Sequence, residues 1–77
     1  MSPMTKVRNE TILKDFGRHL ATLRKNKGLT QEDLANVADI SLSQVSRIER
    51  GVINPTLSTL VDIANALEIP LPLLVKW

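Results

Sequence analysis

Seventy-seven residues with a net charge of +2, 43% hydrophobic content and only Phe16 and Trp77 as aromatics fit one small domain with a core of Leu, Ile, Val and Ala. The lack of cysteine excludes disulfides and thiolate metal sites and suits a reducing cytoplasm, where the chain is expected to reside. No apolar run nears the roughly 20 residues of a membrane span, and the N-terminus lacks the apolar stretch of a secretory signal, so no membrane partner is expected.

Met1 to Asn9 has no apolar periodicity and contains Pro3. This predicts a flexible arm over residues 1–9, with Lys6 and Arg8 either reaching phosphates or simply solvated, ahead of a folded domain over residues 10–77. Glu10 to Lys27 predicts a helix, because Ile12 or Leu13, Phe16, Leu20 and Leu23 recur at spacings of three and four. Lys25, Lys27 and Gly28 close it with a basic last turn and a C′ glycine. Gly17 costs about 1 kcal/mol relative to Ala inside a helix and marks a close helix contact. His19 lies off the apolar stripe with no Cys or second His near it, so no metal, cofactor or catalytic role is expected. Seven basic and two acidic residues precede Leu29, against three basic and six acidic from Leu29 onward. That asymmetry fits either a polyanion footprint or a solvated basic helix face.

Residues 30–51 predict two short helices in tandem. Thr30 with Asp33, and Ser41 with Gln44, are two start signals eleven residues apart. That leaves room for two helical turns and a sharp bend before the next start, and Gly51 ends the second helix. Leu34, Ala35 and Ala38 form one apolar stripe, Ile40 sits in the turn, and Val45 and Ile48 face inward from the second helix. The small Ala35 permits close approach of the two helices. Leu42, Ser43, Ser46, Arg47 and Arg50 make up a small, polar or basic face that is free to touch something.

Pro55 or Thr56 starts a fourth helix, on which Leu57, Leu60, Val61, Ala64 and Leu67 repeat the helical spacing, with Asp62, Asn65 and Glu68 toward solvent. Pro70 and Pro72 form a stiff corner before a short last helix running to Trp77. The pattern therefore predicts an all-α fold of five helices. Leu71, Leu73, Leu74, Val75 and Trp77 are more apolar surface than one small helix buries against its own domain.

Leu29-Thr30-Gln31, Leu34-Ala35, Val45-Ser46, Ile48-Glu49-Arg50-Gly51 and Asn54-Pro55 resemble the helix-turn-helix of the Cro/CI-like repressors, the Xre family, over about residues 13–74. Asp39 departs from the pattern, since the family often has glycine there to take a positive φ. Aspartate tolerates that conformation better than most residues. The resemblance implies a compact lambda-repressor-like domain that binds double-stranded DNA, with the helix at about residues 42–50 in the major groove. It implies base contacts from Leu42, Ser43, Gln44 and Arg47 and phosphate contacts from Gln31, Asn36, Arg50 and Asn54. It also implies an ion pair between Arg24 and Glu49. Leu71, Leu74, Val75 and Trp77 then serve either a homodimer seam on a palindromic operator or core packing.

Two functions of different class follow: a small transcriptional regulator, acting as repressor or autoregulator, and an antitoxin or adaptor whose main role is to hold a protein partner. An enzyme is not expected. Ser41, Ser43 and Ser46 lack a matched base, and Gly17, Gly28 and Gly51 are solitary helix punctuation rather than a phosphate loop. With one domain in the sequence, regulation is expected through DNA occupancy alone, unless the chain is part of a longer regulator.

Overall fold

The computed structural model describes the backbone of residues 3–77 and side chains from residue 9 onward. Among the described residues there are five helices and no strand: α1 Pro3–Asn26, α2 Gln31–Ala38, α3 Leu42–Glu49, α4 Leu57–Ala66 and α5 Leu71–Leu74. α1 thus begins at Pro3, within the stretch of residues 1–9 expected as an arm. Proline at the first helical position forfeits no hydrogen bond, and no breaker follows it before Gly17. The rest of the arm, Met1 and Ser2, and the side chains of Lys6 and Arg8 lie outside the described residues.

Four of the helices, α2 to α5, are ten residues or shorter and would be marginal alone. Their ends are therefore closed locally. Thr30, Ser41 and Thr56 each accept a hydrogen bond from the backbone N–H three residues on, and Asp33 returns one from the Thr30 N–H to complete the capping box. At the other ends, Leu29, Ile40, Val52 and Ile69 donate their N–H groups to carbonyls five residues back, on Arg24, Ala35, Arg47 and Ala64. Each of these closures places the preceding residue in the left-handed region: Gly28, Asp39, Gly51 and Glu68, with φ between 58° and 73°. Asp39 thus adopts the glycine-like conformation expected of it.

The core collects Phe16 and Leu20 from α1, Leu34, Ala35 and Ala38 from α2, Val45 and Ile48 from α3, Ile63 and Ala64 from α4, and Leu67 and Leu74 beyond them. Leu13, not Ile12, continues the α1 stripe; Ile12 is 48% exposed. On α4 the inward stripe is Leu60, Ile63, Ala64 and Leu67. Leu57 and Val61, expected inside, face outward, Leu57 at 68% exposure. Both stripes satisfy helical spacing; the one carrying Ile63 meets α2 and α5. α5 ends at Leu74 rather than Trp77, and Leu74 is fully buried.

Where α1 crosses the end of α3, the backbones touch. A Cβ on Gly17 would collide with the Glu49 carbonyl oxygen and lie 2.7 Å from that of Ile48. A Cβ on Gly51 would lie 2.6 Å from Cα of Lys14. These two glycines let α1 run flush against the last turn of α3. Gly17→Ala should destabilise the fold by about 1–3 kcal/mol, the scale of overpacking, although helix propensity alone favours alanine by about 1 kcal/mol. Urea denaturation with an unchanged m value checks the sign.

Candidate nucleic-acid interface

Helical rotation of about 100° per residue sorts α3 into two faces. Val45 and Ile48 point into the core, while Ser43, Arg47 and Arg50 share the opposite side and are exposed. Leu42, at the helix start, is 48% exposed, and Gln44 is half-buried. Of the four expected base contacts, three are thus open to solvent and Gln44 stands at the edge of the face. Arg50 donates from Nε to Ser46 Oγ at 3.3 Å, an exposed bond that leaves most of its guanidinium available.

The rotation of α3 about its own axis is set by a polar cluster at its last turn. Arg24 Nε donates to Glu49 Oε2 at 2.6 Å and Arg24 Nη2 to Oε1 at 3.0 Å, a bidentate pair with side chains only 9% and 6% exposed. Arg24 Nη1 donates to the Leu29 carbonyl at 2.8 Å, fixing the segment that enters α2. The Glu49 bonds and negative charge raise the pKa of Arg24 above its ordinary value, against the pull of burial. No buried side-chain polar atom among the described residues lacks a partner. The Arg24–Glu49 pair implied by the resemblance is present, and it is buried.

Gln31 joins the same cluster, which sequence reasoning missed. Its Nε2 donates to Glu49 Oε1 at 2.9 Å, so the first residue of α2 is tied to the last of α3. The signal is a glutamine one residue after an N-cap, which the sequence offers only as a phosphate contact. Asn36 and Asn54 are exposed. Asn54 lines a shallow cleft of about 190 Å³ with Ile12, Leu13, Phe16, Pro55, Leu60, Val75 and Trp77. Lys25 and Lys27 are exposed just ahead of α2 in the chain. The Thr30 backbone and hydroxyl hold the Asp33 carboxyl below its usual range, so the α2 cap is complete above the ordinary carboxylate pKa and is lost as pH falls through the depressed value.

The C-terminal residues divide. Of the four possible dimer contacts, Leu74 is fully buried in the core and Leu71 is half-buried against it. The reason is that α5 closes the open end between α1 and α4. Val75 and Trp77 remain exposed, Trp77 at 54% with its ring 5.9 Å from those of Phe16 and His19. His19 Nε2 lies 3.0 Å from the Leu73 carbonyl, which only accepts, so that nitrogen carries the proton and the ring fastens α5 to α1. Among the described residues no acidic, His or Cys cluster could hold a metal ion, and no helix is long and apolar enough to cross a membrane.

Two short helices at a steep turn, the second fixed from behind and bare in front, define a helix-turn-helix DNA-binding domain. The chain belongs to the helix-turn-helix family HTH_3, whose model matches residues 20–74. It is 43% identical over 53 residues to an HTH-type transcriptional regulator of Sinorhizobium fredii, covering 69% of each chain. It is 45% identical over 53 residues to the immunity repressor protein of Bacillus phage phi105, covering 69% of this chain and 37% of that repressor. Among solved structures, the restriction-modification controller protein C.AhdI of Aeromonas hydrophila superposes with a TM-score of 0.83 at 38% identity, over 84% of this chain and 94% of that one. The protein is a DNA-binding transcriptional regulator and not an enzyme. Relatives named as regulators and repressors favour DNA over the antitoxin or adaptor reading.

Removing one member of the buried pair orphans the other. Glu49→Ala should destabilise by roughly 3 kcal/mol, and Arg24→Met combined with Glu49→Leu should recover much of that loss. Denaturant midpoints of the three variants check it; a single-variant cost no larger than a surface substitution would contradict the burial.

Proposed function

We propose that the protein represses transcription by binding a palindromic operator as a homodimer in the bacterial cytoplasm, with α3 in the major groove of each half-site. The observation that carries this is the exposed face of Ser43, Arg47 and Arg50 on a helix whose opposite side is held by the core. Leu42, Ser43, Gln44 and Arg47 read base edges: arginine pairs bidentately with guanine, serine donates or accepts, and leucine meets a thymine methyl. Gln31, Asn36, Arg50 and Asn54 hold phosphates, which position the domain without conveying sequence. Duplexes selected from a random pool supply the site. On it, Arg47→Ala should cost on the order of 1–3 kcal/mol and flatten the ranking of single-base variants, whereas Gln31→Ala should weaken all duplexes about equally. An unchanged ranking in Arg47→Ala removes it from the base readers.

The dimer reading is supported by apolar side chains left outside the core beside one cleft. Ile12, Val75 and Trp77 line it, and Leu57 and Val61 neighbour its Leu60 on α4. Val75→Asp with Trp77→Ala should shift the sedimenting species on an operator duplex from two copies to one and reduce affinity. A wild-type monomer both free and on the full palindrome overturns the dimer.

A further inference from the structure

The first turn of α2 carries two acidic residues, Glu32 and Asp33, so the helix start offers a phosphate a weak field. A donor fixed in direction therefore matters more there than net charge. Gln31 is the first residue of that helix, half-buried, and its amide nitrogen has two N–H groups, of which one goes to Glu49 Oε1 at 2.9 Å. A carboxylate only accepts, so Glu49 takes the nitrogen end of the amide and rejects the oxygen end. Arg24 grips both oxygens of Glu49, which stops the carboxylate turning away and offsets its charge toward an approaching phosphate.

Resting on the reading of Gln31 as a phosphate contact, we propose that Glu49 and Arg24 are positioning residues for it. They hold the Gln31 nitrogen so that its second N–H is presented to the DNA backbone. A free glutamine gives up several rotamers and two amide orientations on binding; in this fold they are already surrendered. The pair that sets the rotation of the base-reading helix thereby also aims a backbone contact on the neighbouring helix. Base register and phosphate register share one support.

The test uses the selected duplex with single phosphates replaced by uncharged methylphosphonates, titrated against wild type, Gln31→Ala, and Arg24→Met with Glu49→Leu. In wild type, replacing the phosphate that faces Gln31 in a half-site should weaken binding about fivefold, the scale of one hydrogen bond. Gln31→Ala should abolish the penalty at that position alone, and the double variant should reduce it below about twofold while other positions keep theirs. If Gln31→Ala silences no position, the phosphate reading fails. If it silences one that the double variant leaves at full penalty, the phosphate reading stands and the positioning role is overturned. Should the double variant not fold, the Gln31 side-chain amide protons of wild type decide by NMR. One proton of the pair displaced from the usual glutamine position and protected from exchange in the free protein, with only the other moving on adding the duplex, supports the proposal; a pair at the usual glutamine positions until DNA is added overturns it.

Discussion

The buried contact between Arg24 and Glu49 is where the fold and the DNA-binding face meet. Four hydrogen bonds converge on it from α1, the segment before α2, the start of α2 and the end of α3. Taking a guanidinium and a carboxylate out of water costs several kcal/mol each, and their attraction recovers this only when the geometry is good and the remaining donors are used. Both conditions are met. Two apolar side chains of similar volume would hold the helices together about as well. What they lack is direction: an apolar contact tolerates rotation of α3 about its axis, whereas a planar fork on a planar carboxylate does not. Since Ser43, Arg47 and Arg50 lie on the face opposite Val45 and Ile48, a few tens of degrees of rotation would move them off any fixed target.

Backbone contact supplies the second restraint. Gly17 and Gly51 let α1 lie against the last turn of α3 with no side chain between them. Polar cluster and glycine contact bracket the same turn, from Ile48 to Gly51. The start of α3 is held more lightly, by the Ser41 cap and the turn through Asp39 and Ile40. An eight-residue helix anchored at its C-terminal end presents its N-terminal residues forward, which is the geometry a groove-reading helix requires.

The parts of this arrangement legible in the sequence are those with a local signature. Thr30, Ser41 and Thr56 mark helix starts through side chains that bond their own backbone, and Gly28 and Gly51 mark ends through a conformation other residues avoid. Spacing located four core stripes but was ambiguous where two stripes compete. On α4, Leu57 and Val61 read as well as Ile63 until the positions of α2 and α5 choose between them. The Gln31–Glu49 bond links residues 18 apart in sequence, and no local pattern announces it. Glu68 takes a positive φ with no glycine to signal it, although the apolar Ile69 that follows has its counterpart after each of the other three left-handed residues.

The main packing partners of α3 are α1 and α2, while those of α5 are α4 and α1, so α1 runs between α3 and the C-terminal cap. This division bears on the proposed dimer. Two helices one DNA turn apart stand about 34 Å from each other, hence about 17 Å from the two-fold axis. The domain measures 39 × 24 × 20 Å, its long dimension accounted for by α1 at about 36 Å. A seam on the side of Val75, Trp77 and Ile12 leaves α3 across the body of the domain from the partner, within reach of that separation. A seam on the α2–α3 side would bring the two copies of α3 too close and cover the residues proposed to touch DNA. Burial of Leu74 beneath the cap strengthens the choice: with that leucine spent on the core, α5 is a firm platform, and the exposed side chains around it can associate without opening the fold.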